Sequence, residues 1–270
     1  MSEAAKTLSP EYKEALVELL FQLADDDFFF AYRGSEWLGL APHIEEDVAS
    51  SSISQDSMGH AAMFYTLLEE LGLGKADDLA HARPAHERKN SILVERLNGP
   101  GNYMEDAQYD WAYAVVRNCF YTLAKKVKID SLKQSTYGPL AEVAVKVNME
   151  LYYHLLHWKT WFVQLLSTTE DAKERMIQAM DKVMSDFDDV FSLGSHAEQM
   201  KQFGLIEEES VLKEKWTVAL ANIFESLDIE IPRKVNPQSL NGRNGEHTKD
   251  LEDALSTLGE VYKLDPVAPW

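Results

Sequence analysis

The 270-residue sequence carries 26 basic against 45 acidic side chains, a formal charge of −19, and is 45% hydrophobic with 10% aromatic residues. That apolar share is enough for a sizeable core and excludes a disordered or low-complexity scaffold. The acidity excludes nucleic acid, whose phosphates call for clustered Lys and Arg, and works against docking on an anionic membrane. A lone cysteine, Cys119, leaves no intramolecular disulfide, redox dithiol or Cys-based zinc site. No secretory pattern opens the chain, and no stretch reaches the roughly 20 apolar residues of a membrane span, so the sequence reads as a soluble cytoplasmic protein.

Only 13 Gly and 9 Pro punctuate long stretches in which apolar residues recur at three- and four-residue intervals, the pattern of an all-α protein. Ser9 as cap and Pro10 at the first turn open a helix predicted to run to about Gly34. A second helix is predicted from after Pro42, with Glu45, Glu46 and Asp47 where the dipole favours anions, to Leu71 before Gly72 and Gly74. Residues 75–104, with Pro84 and Asn98-Gly99-Pro100-Gly101, read as a long connection that crosses a bundle or covers a surface. Further helices are predicted at about 105–127, 132–166, 170–191, 207–226 and 247–262, with Thr168 and Asp171 as a capping start for the third of these and a loop from Ile231 to Glu246.

Two antiparallel helix pairs joined by a long crossover are the layout of a ferritin-like four-helix bundle. The expected domain spans residues 1–270, with a core bundle at about 9–167 and a helical extension at about 168–270.

Ferritin-like di-metal proteins place a carboxylate on each of two helices and Glu-x-x-His on each of the other two, because residues three or four apart share a helix face. The second helix holds Asp56-Ser57-Met58-Gly59-His60 and the fourth Glu150-Leu151-Tyr152-Tyr153-His154. Three residues before each histidine stands Ser57 or Leu151, and leucine cannot bind a metal. A carboxylate four before each histidine, Asp56 and Glu150, still faces roughly the same way. In Asp25-Asp26-Asp27 one carboxylate is expected inward and the others on a solvated face. On the third helix Asp110 is the expected inward acid, the alternative being that Cys119 or Thr122 occupies that level instead. The residual site positions are therefore Asp27, Asp56, His60, Glu150 and His154, read either as hydrogen-bonded packing pairs or as a variant metal site. No P-loop, G-x-G-x-x-G or G-x-S-x-G occurs, and no Ser, His and acid are linked as a triad. The aromatic residues Phe28, Phe29, Phe30, Tyr32 and Trp37, with Tyr152, Tyr153, Trp158, Trp161 and Phe162, suit a core, a pocket or an interface.

At Gly34-Ser-Glu-Trp-Leu-Gly-Leu-Ala-Pro42, Asp56-Ser-Met-Gly-His-Ala-Ala-Met-Phe64, Asn98-Gly99 and Gly245-Glu-His-Thr-Lys-Asp-Leu251, the chain resembles the C subunits of bacterial phenylacetyl-CoA epoxidases. The similarity runs from about residue 15 to Trp270, and Glu36-Trp37 and His247-Thr248 are its most specific parts. The resemblance implies a ferritin-like, catalytically silent subunit without its own cofactor, which holds a homologous di-iron A subunit in its active form. A B subunit and a reductase subunit would join them. The A subunit's Glu-x-x-His pattern falls on Ser57–His60 and Leu151–His154, and its first-helix glutamate falls near Asp27. Pairing with that subunit through the first two helices would bury a surface of roughly 2,000–5,000 Å². The other reading is a metal-binding oxidase in its own right. Binding of CoA by this chain alone is disfavoured by the shortage of Arg and Lys.

Overall fold

The computed structural model of the chain describes residues 8–225, 227, 229, 240–265, 267 and 268. Among the described residues all regular structure is helical. Helix α1 (Pro10–Ser35) starts where the Ser9 side chain accepts from the Tyr12 N–H at 3.2 Å, satisfying one of the donors a helix start leaves open. Helix α2 (Ile44–Glu70) carries its three acids in the first turn and ends before Gly72, whose φ of +85° is left-handed. The connection expected to lack helices holds two short ones, α3 (Ala76–His81) and α4 (Ile92–Glu95).

Helix α5 (Trp111–Leu132) begins six residues later than the predicted 105, because Asp110 is its cap and accepts from the Tyr113 N–H at 3.1 Å. Helix α6 (Gly138–Thr168) places Pro139 in its first turn, where no amide partner is lost. The cap of α7 (Glu170–Ser185) is Thr169, which accepts from the Ala172 N–H at 3.1 Å, rather than Thr168. After it come α8 (Ala197–Gln202), α9 (Glu209–Phe224) and α10 (Lys249–Leu258). Residues 231–239 of the predicted loop lie outside the described residues.

Helix α1 packs along α2 and α5 along α6, so the fold is an all-α, ferritin-like bundle with additional helices at its C-terminal end. The two helices of each pair are not equivalent in depth. Every residue of α1 from Gln22 to Ala31 is buried, as is every residue of α5 from Tyr113 to Lys125. Helix α1 is sheathed by α2, α4, α8 and the turn at Gly194–His196, and α5 by α6, α7 and α9. In contrast α2 and α6 keep one face open along their length. The expectation that the first two helices together face a partner is corrected for α1, whose exposed residues are confined to its two ends.

Candidate functional site

Burying whole turns of α1 and α5 forces their charged residues inward, and the bundle interior is organised around one of them. Lys125, on α5, places its Nζ 2.6 Å from Asp27 Oδ1 on α1 and 2.8 Å from His60 Nδ1 on α2. His60 is fully buried, and its Nε2 lies 2.6 Å from Glu150 Oε2 on α6. An ammonium can only donate, so His60 Nδ1 accepts from Lys125 and Nε2–H donates to the Glu150 carboxylate. Burial, helped by the Lys125 charge and by His154, pushes the imidazole far below its ordinary range and keeps it neutral. Burial likewise raises Asp27 to about 6, the ammonium beside it pulling the other way.

The second histidine is paired the same way. His154 Nε2 lies 2.9 Å from Asp56 Oδ2, and the two imidazole rings are 6.2 Å apart. Acid and histidine do not pair within their own helix, as their four-residue spacing suggested. They cross: Asp56 of α2 meets His154 of α6, and Glu150 of α6 meets His60 of α2. The crossing follows from antiparallel packing, which sets the acid of one helix level with the histidine of the other. Both acids sit at the rim, with side chains 43% and 47% exposed, and burial together with the nearby Asp56 charge raises Glu150. Burial holds His154 below its ordinary value although Asp56 opposes this.

Asp25 and Asp26 are not on a solvated face. The three consecutive aspartates are 0%, 4% and 2% exposed, and each has its own cation. Asp25 accepts from Arg83, from Arg88 at 3.2 Å, from Tyr65 at 2.5 Å and from the Lys89 N–H at 2.8 Å. Burial alone would raise it, but the two guanidiniums hold it below the usual carboxylate range. Asp26 takes a bidentate pair from Arg243 at 2.9 and 2.7 Å and the Ser91 N–H at 2.7 Å. Asp110, expected inward on the third long helix, is an exposed cap. Its two alternatives, Cys119 and Thr122, are both buried, but the residue that reaches Asp27 and His60 is Lys125. The sequence carries no signal for it: Lys125, Lys126 and Lys128 fan across about 160° of a helix, which is no wider than an ordinary solvated face.

The stretches that carry the resemblance fasten the connection to the bundle. Asn98 Oδ1 accepts from Trp37 Nε1 at 3.0 Å and Arg117 Nη2 at 2.5 Å, and its Nδ2 donates to Arg33 O and to Glu36 Oε2 at 2.7 and 2.8 Å. Glu95, fully buried, accepts from His247 Nδ1 at 2.7 Å and from the N–H and hydroxyl of Thr248 at 2.7 and 2.8 Å. The second nitrogen of His247 faces the Arg88 carbonyl at 3.0 Å. Acceptors on both sides require a doubly protonated ring, and Glu95 raises His247 against the effect of burial. Gly242 is required here, since a Cβ would fall 1.9 Å from the Asn90 carbonyl oxygen. Of the aromatic residues, Phe28, Phe29, Phe30, Trp37, Trp158 and Phe162 are core, whereas Tyr152 and Tyr153 are exposed.

A di-iron centre, which a ferritin-like fold implies, does not fit these residues. An ammonium stands between Asp27 and His60, and serine and leucine stand where glutamates are needed. Among the described residues no three His, Cys, Asp or Glu side chains converge to hold a metal. What the arrangement does is hold a charge internally, the ammonium of Lys125, between Asp27 and His60.

The family described as "Phenylacetic acid catabolic protein" matches residues 1–270. Over 256 residues, 94% of this chain and 99% of the relative, the sequence is 25% identical to the C subunit of the 1,2-phenylacetyl-CoA epoxidase of Escherichia coli (strain K12). No helix among the described residues is long and apolar enough to cross a membrane.

Proposed function

The chain belongs to the phenylacetic acid catabolic protein family, and from that premise we propose that it is the non-catalytic structural subunit of a phenylacetyl-CoA ring epoxidase. It pairs with the homologous di-iron catalytic subunit and stabilises it, and a B subunit and a reductase join them in a cytoplasmic assembly. The chain itself carries no metal or cofactor.

The observation that supports this reading is Lys125. Its ammonium bonds Asp27 at 2.6 Å and His60 at 2.8 Å, so the acid and the histidine that fall at or near the catalytic subunit's ligand positions by resemblance are both engaged by a side chain of the same protein. A covalently tethered cation provides the positive charge that the inward acids require. It adds no redox activity and no open site for oxygen. The paired polar groups therefore retain the bundle's shape while its chemistry resides in the partner.

The test is reconstitution. Co-expressed with the catalytic subunit, the chain should co-purify with it, and epoxidation should require both. Alone, it should hold no stoichiometric iron and turn over no CoA ester. Iron bound one or two per isolated chain and lost in His60→Ala and His154→Ala variants would overturn the reading, as would full epoxidase activity without this chain.

A further inference from the structure

The faces that α2 and α6 leave open meet at the crossed His–acid pairs. Along α6 the exposed positions Val145, Met149, Tyr152 and Leu156 follow at spacings of four, three and four, the seam of a helix that expects a helical partner. Met149, Tyr152 and Tyr153 are 65%, 61% and 69% exposed, which is far more than three large apolar or aromatic residues in sequence proximity normally show. The outer face of α2 matches it in a different way. Between Val48 and Thr66 the one formally charged residue is Asp56, and the open positions there include Gly59 and Ala62, where another backbone can approach closely. Ile44 and Val48, 76% and 63% exposed, extend the apolar surface at the start of α2. In a chain with 26% charged residues such a face is unusual. Glu142, Lys146 and Lys159 are exposed on the same side of α6, where they interleave with the apolar and aromatic side chains.

Between the two stripes lie Asp56 and Glu150, each half-exposed and each already accepting from a neutral histidine. Their negative charges are not cancelled by those histidines. Glu150 has Lys146 four residues before it on the same helix and feels the charge of Lys125, whereas Asp56 has only its histidine, so an apolar surface that covers the pair is best matched if it brings a cation of its own. A second copy of this chain is a poor candidate, because it adds another −19 charges and presents the same two acids.

We propose that the α2–α6 face docks a helical face of a different subunit, apolar along its ridge and carrying an Arg or Lys that meets Asp56 and Glu150. This rests on the structural-subunit reading, which makes the catalytic subunit that partner. The aromatic and methionine side chains of α6 fill its grooves, and the two acids fix its register.

The experiment is binding of the purified chain to the catalytic subunit, measured across ionic strength. Failure of the wild-type chain to bind would overturn the structural-subunit reading. If wild type binds, the docking face is tested separately. Met149→Glu/Tyr152→Glu should raise Kd at least 100-fold while the far-UV spectrum and Tm of the free chain stay within error of wild type. Glu150→Gln should raise Kd about tenfold and flatten its salt dependence, because the carboxamide still accepts from His60 but offers the partner no charge. Val218→Glu, an exposed position on α9, should leave Kd unchanged. Unchanged affinity in the Met149/Tyr152 variant places the partner elsewhere and overturns the proposal. A wild-type dimer in sedimentation that the same variant dissociates would assign the face to self-association and overturn it equally.

Discussion

Two regions of this protein bury carboxylates beside cations, and they do it with different chemistry. Where the connection wraps α1, Asp25, Asp26 and Glu95 are held by Arg83, Arg88, Arg243 and a protonated His247. In the bundle interior Asp27 is held by Lys125, which shares its ammonium with the neutral His60. The first region uses planar forks and backbone amides that satisfy the carboxylate oxygens. The second rests on one point charge with three donors. Its polar groups are half satisfied from inside and half from the rim, through Glu150 and Asp56. The same fold thus has an end built for rigidity and an interior built around one replaceable cation.

The largest effect that would break this contrast is expected at the arginine end. Arg243→Ala removes both bonds to Asp26 and the donors to the Lys89, Asp189 and Val190 carbonyls. Stranding a buried carboxylate in this way should cost about 5 kcal/mol, read from urea unfolding or as failure to accumulate in soluble form. Lys125→Ala should cost less, about 3 kcal/mol at pH 7, since Asp27, already raised to about 6, can take up a proton in place of the missing ammonium. That cost should fall as the pH is lowered towards 6. An equal loss at pH 5 and pH 7 would show that the interior is as rigid as the arginine end.

The two histidines sharpen the comparison through pH. Burial lowers His60, so its contribution is present above the ordinary histidine range near 6.5 and is lost as pH falls. His247 is raised against burial by Glu95, so its contribution is fully present below that range and is lost as pH rises through its folded value. In stability–pH profiles, His60→Gln should flatten the acid side and His247→Gln the alkaline side, each by less than either truncation above. Flattening on the same side by both would remove the distinction. The smallest effect is expected at the rim: Asp56→Asn, 43% exposed, should cost about 0.5–1 kcal/mol, because the carboxamide oxygen still accepts from His154 and only the charge is lost.

Much of the helical frame is legible in the residues alone. Ser9-Pro10, the acids after Pro42 and Gly72 place the ends of α1 and α2 to within a residue or two. The start of α5 is less legible, because Asp110 reads equally well as a helical acid or a cap. The choice depends on its amide, which donates to Asn98 O at 2.9 Å across the connection. The aspartate triplet differs from its expected exposure for a related reason. An amphipathic pattern assigns one side of a helix to water, but α1 has no such side between Gln22 and Ala31. The spacing of His60 and His154 points to both histidines, and the loss of metal-binding glutamates at Ser57 and Leu151 is visible directly. Their partners are not, since each histidine pairs with the acid of another helix, about 90 or more residues away in sequence.

Periodicity, caps and residue identity within one helix are enough to establish the helical class, the two antiparallel pairs and the absence of a complete Glu-x-x-His set. Which cation neutralises which acid, the place of Lys125 at the bundle centre, and the open face on α2 and α6 rather than α1 emerge only from packing. A buried charge is stable only with its partner in place. In this chain of net charge −19, those partners come from segments that meet only when the helices assemble.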